Sequence, residues 1–151
     1  MKKLIDVYPY RITENGVKFL VFLRSKKKIY ADQWRMIGGK VDENESYWKA
    51  ALRELNEETG LVPDHFWVVP SVNTFYEAAS DMIHHIPAFA AQIPANEEIQ
   101  LNEEHTSYKW ISADEVQLYL RWPEQQRLIR LIQTILEDPS NRLLPEWEIA
   151  L

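Results

Sequence analysis

The sequence predicts an α+β fold, and three observations predict it. Two apolar runs near the start flank an Asn15-Gly16 pair, the strongest short-range hairpin signal. A glutamate-rich stretch then carries apolar residues at helical spacing and ends at Gly60. Between it and a second helical stretch near the C-terminus lie β-branched and aromatic runs bounded by turn residues. With 151 residues the chain is long enough for one domain with a real core and short for two. Residues 1–151 are therefore expected to form a single domain.

Residues 4–12 (LIDVYPYRI) read as a strand, with Pro9 marking an edge or a bulge because proline cannot donate to a ladder. Residues 17–24 (VKFLVFLR) should pair with it antiparallel across the Asn-Gly turn. Ser25-Lys26-Lys27-Lys28 follows, either as a solvated loop or as cations that reach a ligand's phosphates together with Arg24. Trp34-Arg35-Met36-Ile37 leads into Gly38-Gly39, where missing side chains let backbone approach a ligand. Residues 40–41 suggest a short strand.

A helix is expected over 46–59, started at Ser46, stopped by Gly60 and followed by Pro63. Trp48, Ala51, Leu52 and Leu55 form its buried stripe. At roughly 100° per residue, Glu54, Glu57 and Glu58 cluster beside that stripe, directly after Arg53. Glu54 and Glu58 are i, i+4 neighbours and repel. Carboxylates crowded beside a buried face are costly unless a cation gathers them. A divalent metal carrying a polyphosphate substrate answers that cost.

Residues 66–77 and 82–93 read as two strands joined by a turn at 78–81. His84 and His85 should point to opposite faces and so not share a metal. An acidic loop over 94–104 precedes a strand over 104–111. Ser112 and Glu115 form a capping box for a short helix reaching about 120. A final helix over 123–136 has Pro123 in its first turn and Leu128, Leu131, Ile132 and Ile135 as its stripe. The tail (LLPEWEIAL) is apolar enough to dock on the body or on a partner chain.

The net charge of -6 argues against polymeric nucleic acid as the partner, though a bound metal can still draw phosphate to an acidic site. There are no cysteines, hence no disulfides or thiolate metal sites. No segment approaches the roughly 20 apolar residues of a membrane span, so a cytoplasmic protein without membrane contact is expected. Six tryptophans and seven tyrosines serve either the core or the stacking of a planar ring.

Gly39, Glu45, Arg53, Glu54, Leu55, Glu57, Glu58, Gly60 and Leu61 fill every defined position of G-x5-E-x7-R-E-U-x-E-E-x-G-U, U being a bulky aliphatic. This pattern resembles the signature of the Nudix hydrolases. The resemblance implies an α/β/α sandwich with a central mixed sheet, and cleavage by water at the pyrophosphate of a nucleoside diphosphate linked to another group. It implies Glu54, Glu57, Glu58 and the backbone carbonyl of Gly38 as ligands of magnesium, or of manganese in its place. Arg53 would orient the carboxylates, and Glu45 would support the loop before the helix.

EEHTSYKW resembles the E-H-x-x-Y-x-W stretch of the group holding dATP pyrophosphohydrolases and dihydroneopterin triphosphate pyrophosphatases. It implies Glu104 near the metal as the general base, with Glu103 its neighbouring competitor. In WRMIGG, Ile37 stands where many other Nudix proteins carry proline. Arg24, Gly38 and Gly39 are the expected phosphate contacts, and Trp34 and Tyr76 the expected stacking platforms for a base or pterin.

The implied reaction converts a dATP-like nucleoside triphosphate or a pterin triphosphate to monophosphate and pyrophosphate. The alternatives are a dinucleoside polyphosphate (Ap4A-type) hydrolase, and a non-catalytic nucleotide sensor, which predicts a degraded signature not seen here. A monomer or homodimer is expected.

Overall fold

The two N-terminal apolar runs form antiparallel strands β1 (Leu4–Thr13) and β2 (Gly16–Arg24) in a computed structural model that describes residues 2–140 and 143–151. Gly16 supplies the positive φ the turn requires, at 99°. The pairing covers only one end of each strand, Tyr10 to Thr13 against Phe19 to Gly16. Beyond it the strands part, and the segment containing β3 (Trp34–Arg35) and β4 (Ile37–Lys40) enters the gap. There β3 pairs with β2, and β4 pairs with β1, setting Gly38 opposite Asp6 and Gly39 opposite Ile5. The short strand expected at 40–41 thus lies earlier and includes both glycines.

The helix forms as α1 (Tyr47–Thr59), with Ser46 as N-cap and Gly60 left-handed at φ 73°, its N–H donating to the Asn56 carbonyl. β5 (His65–Glu77) and β6 (Met82–Gln92) make a long hairpin, and β7 (His105–Ile111) pairs with the far edge of β2. β6 lies parallel to β1, so the seven-stranded sheet is mixed, in the order β3-β2-β1-β6-β5 with β4 and β7 branching from it. Ser112 opens a helical turn at Ala113–Glu115 that continues as α2 (Val116–Tyr119), and α3 (Pro123–Glu137) follows with proline in its first turn.

Period-2 alternation divides the core between the two faces of the sheet. Phe19 and Val21 of β2 face Leu128, Ile129, Ile132 and Ile135 of α3. Leu20 and Phe22 face Ala50, Ala51 and Leu55 of α1. Each leucine, isoleucine, valine or phenylalanine among them contributes about 1.5–3 kcal/mol by leaving water. The result is the expected α+β, α/β/α arrangement.

Three expectations change. Pro9 is neither on an edge nor at a bulge but in the middle strand of the sheet, opposite Ala91. The Tyr10 carbonyl accepts from Ile93 and the Lys3 carbonyl from Val41, so odd-numbered residues of β1 face the β4 and β2 side. Pairing with β4 stops at Val7 and pairing with β2 starts at Tyr10, so the missing N–H falls in the gap between partners. The stripe of α1 is rotated: Ala50, Ala51, Leu55, Glu58 and Thr59 are buried, while Trp48 and Leu52 are half-buried. On α3, Gln125 and Ile129 join the buried set and Leu131 is only partly covered.

The tail docks on the body. Ile149 donates its N–H to the Phe66 carbonyl, and Leu143 and Trp147 pack on the α3 side of the core. Among the described residues no helix is long and apolar enough to cross a membrane.

Candidate active site

Arg53 is the hub on which the loop before α1 and the helix itself converge. Its Nε and Nη2 donate to both oxygens of Glu45 at 2.8 and 2.9 Å. Nη2 also donates to the Lys40 carbonyl at 2.9 Å, and Nη1 to Glu54 at 3.0 Å and Glu57 at 3.2 Å. This fork sets the glutamates of α1 against the segment carrying Gly38 and Gly39. The Arg53 guanidinium, helped by the Asp42 N–H, holds the Glu45 carboxyl down at about 2.

Glu58 is placed differently. It is 2% exposed; no N–H or hydroxyl among the described residues reaches its oxygens, which lie against the Glu54 carboxyl. Burial, reinforced by the charges of Glu54 and Glu104, pushes its carboxyl well above the usual carboxylate range. Burial likewise raises Glu54, against the pull of Arg53. The nearest nitrogen, Nδ1 of His105, is 3.5 Å from Glu58 Oε1, but burial drives that imidazole down to about 4 and leaves it neutral. The contact is therefore no ion pair. Two buried carboxyls set against each other with no donor nearby call for a cation or a shared proton.

Among the described residues no three carboxylates or imidazoles already converge on one point, since Arg53 occupies oxygens of Glu54 and Glu57. Magnesium needs no such cage, because it keeps several waters and takes its remaining ligands from substrate phosphates. The donor set, all hard oxygen, suits it.

A cleft of about 470 Å³ opens beside Glu54, and its lining includes Gly38, Gly39, Glu54, Glu104 and Arg24. Glu104 lines the cleft, whereas its neighbour Glu103 is exposed. Glu104 accepts from Arg24 Nη1 at 3.1 Å and from Lys28 Nζ at 3.4 Å. The two cations expected to reach phosphate thus hold the expected base. Glu57 is exposed and, like Glu58, does not line the cleft.

Part of the cleft lining was not anticipated. Asp6, Tyr30, Arg35, Asn73, Phe75 and Gln125 meet there. Asp6 Oδ2 accepts from Asn73 Nδ2 at 2.7 Å and from the Tyr8 hydroxyl at 3.4 Å, and burial pushes its carboxyl up to about 6. A signal existed: aspartate inside LIDVYPY and asparagine inside FWVVPSVNTFYE are polar residues at buried strand positions.

The two stacking platforms expected from the sequence are elsewhere. Trp34 packs on the α3 side of the core against Tyr119, 5.7 Å between ring centroids. Alternation along β3 turns it away from the side that Arg35 takes. Tyr76 is 60% exposed near the β5–β6 turn, its hydroxyl donating to Asp81. Phe75 and Tyr30 line the cleft instead.

The NUDIX domain model matches residues 5–132. The chain belongs to the Nudix family. It is a Nudix hydrolase, similar to the nucleoside triphosphatase NudI of Salmonella newport (strain SL254), with 27% identity over 115 residues covering 72% of this chain and 82% of that one. In fold it resembles a C. elegans Ap4A hydrolase, with a TM-score of 0.75 at 23% identity over 90% of this chain and 98% of the other. It also resembles the E. coli dihydroneopterin triphosphate pyrophosphohydrolase, with a TM-score of 0.69 at 20% identity over 86% and 93% of the two chains.

Within this Nudix chain, the contact between β4 and α1 explains one glycine. A Cβ on Gly39 would lie 2.3 Å from Glu54 Cδ, so any side chain there displaces that carboxylate. Gly39→Ala is expected to cut turnover by about 10²-fold through this misplacement, with a small change in melting temperature. Steady-state kinetics beside a thermal melt check it, and unchanged kcat would show that Glu54 tolerates the shift.

Proposed function

We propose that the chain is a magnesium-dependent pyrophosphohydrolase that converts a nucleoside or pterin triphosphate to the monophosphate and pyrophosphate. One observation carries this reading. A single cleft is lined by Glu54 of α1, the glycines of β4, Glu104 and Arg24 and also by planar rings and buried polar groups, matching a ligand that carries both phosphate and a heterocycle.

Glu54, Glu57 and Glu58, the Gly38 carbonyl and Glu104 would hold the metal; bound, it neutralises phosphate charge and lowers the pKa of water. Arg53 positions Glu54 and Glu57 for this work. Arg24 and Gly39 line the cleft. Glu104 accepts the proton of the attacking water at a carboxylate oxygen. The new P–O bond forms as the bond to the leaving pyrophosphate breaks in line. Arg24 and Lys28, already on Glu104, hold that carboxylate in place.

The test is product analysis by ion exchange, with and without magnesium, over nucleoside triphosphates, dihydroneopterin triphosphate and Ap4A. Monophosphate and pyrophosphate are expected from a triphosphate. Cleavage of Ap4A into two mononucleotides, with triphosphates untouched, would overturn the proposal in favour of the dinucleotide reading.

A further inference from the structure

Arg35 lines the cleft, and its guanidinium meets rings rather than acceptors. Its Cζ lies 4.1 Å from the Tyr30 ring centroid and 4.5 Å from that of Trp122. Tyr30 holds a left-handed φ of 63°, a strained backbone that persists only where surrounding contacts over-determine it. Ring contacts draw on the charge of a guanidinium and leave its N–H donors in want of an acceptor. Nη1 is buried and has no partner among the described residues. Buried donors are almost always paired in folded proteins, so an orphan on a cleft-lining side chain calls for an acceptor from the ligand.

The chain's own acceptors beside it are taken. The Asp6 carboxylate accepts from Asn73 at 2.7 Å, from Tyr8 at 3.4 Å and from Gln125, and it acts on Arg35 through charge alone. Gln125 Oε1 accepts the Met36 N–H at 3.3 Å. Asp6 therefore balances the charge of Arg35 without using its donors. A neutral acceptor fits that state better than a second anion does. This separates Arg35 from Arg24 and Lys28, the cations on Glu104. Phe75 lines the same cleft, stacked on His84 with ring centroids 5.0 Å apart, and offers a flat wall to a planar ring.

An arginine fork is satisfied by two neighbouring acceptors in one plane. Guanine and hypoxanthine present O6 beside N7, the pair arginine meets most often in base recognition. A 7,8-dihydropterin presents O4 beside N5 in the same relation. Adenine sets an amino group beside N7, so donor would face donor. Uracil has one carbonyl there with a C–H as its neighbour. Cytosine O2 and N3 are adjacent, but the sugar crowds O2. We infer that Arg35 is a specificity-determining residue that reads the paired oxo and ring-nitrogen acceptors of a 6-oxopurine nucleotide or a dihydropterin. This rests on the triphosphate reading of the same cleft and narrows it.

The experiment measures kcat/KM for GTP, 7-deaza-GTP, ITP, ATP, CTP and dihydroneopterin triphosphate. GTP and ITP, which share O6 and N7, are expected to exceed ATP and CTP by about 10- to 100-fold, the usual discrimination of a bidentate pair. 7-Deaza-GTP has a C–H in place of N7 and is expected to lose about 10-fold against GTP. The ratio of GTP to dihydroneopterin triphosphate names the source. Arg35→Lys keeps the charge and loses the fork, so the GTP-to-ATP ratio should fall toward one. A ratio held at the wild-type value, with every substrate losing alike, would put Arg35 on phosphate and overturn the inference. Should that variant fail to fold, the wild-type series decides. ATP, CTP or 7-deaza-GTP equal to GTP overturns the inference and leaves the triphosphate reading standing. If no triphosphate is cleaved, that reading has failed, and calorimetric titration with GMP, 7-deaza-GMP and AMP decides by binding alone. GMP tighter than both others supports the inference, and equal or absent binding overturns it.

Discussion

Glu58→Gln is expected to lower turnover by at least about 10²-fold while leaving the fold intact, since it removes a proposed metal ligand and with it charge stabilisation in the transition state. The same change should make the metal-free protein more stable at alkaline pH. Burial raises the folded-state pKa of Glu58 above its ordinary 4.5, so above pH 4.5 the folded chain holds more protons than the unfolded one. Stability then falls as pH rises through that window, because the unfolded state gains by ionising. Glutamine has the same shape and nothing to ionise. Thermal melts in chelator from pH 5.5 to 8.5 should show the wild-type protein losing stability with pH and the variant losing less. Glu54 is raised as well and keeps part of the slope. Magnesium should restore the wild-type protein and have a weaker effect on the variant. Near-normal turnover by Glu58→Gln would remove Glu58 from the metal site.

The signature stretch was readable because its chemistry is local. Ser46, Gly60 and the spacing of Ala51, Leu55 and Glu58 all act within one helix, and the structure keeps Arg53 within reach of Glu45, Glu54 and Glu57. The hairpins were readable for the same reason, as Asn15-Gly16 and the 78–81 turn are short-range signals. The rotation of the α1 stripe was not, because Trp48 and Leu52 lose full burial to a sheet whose position the helix alone does not reveal.

The cleft lining from Asp6, Arg35, Asn73 and Gln125 is the clearest loss. Asp6, Arg35, Asn73 and Gln125 come from β1, β3, β5 and α3, and no pairwise spacing links them. They meet only because β1 and β2 part and the Trp34-to-Lys40 segment fills the gap. Pro9 belongs to the same feature, since its missing donor is tolerated where the partners change over. Trp34 and Tyr76 are aromatic and near the right strands, but in a strand the neighbouring position is on the other face. Arg35 and Phe75, one residue away from each, line the cleft.

Arg53→Lys is expected to cost about 10²-fold in turnover as well, but by a different route, through loss of alignment. Lysine keeps the charge and loses the fork. It cannot at once satisfy both Glu45 oxygens, the Lys40 carbonyl, Glu54 and Glu57, which the guanidinium does. The segment carrying Gly38 and Gly39 is then freed from the helix carrying the glutamates. The pH dependence separates this from a simple folding defect. Glu45 is depressed to about 2 by Arg53, so it contributes stability that is present above the ordinary 4.5 and lost as pH falls toward 2. The variant returns Glu45 toward its ordinary value, and the gap in melting temperature between wild-type and variant should narrow as pH drops from 5 to 2.5. Manganese affinity read by electron paramagnetic resonance should fall far less than kcat, because the carboxylates remain while their alignment is lost. A parallel fall in both would make Arg53 a scaffold for binding the ion rather than a positioning residue for turnover.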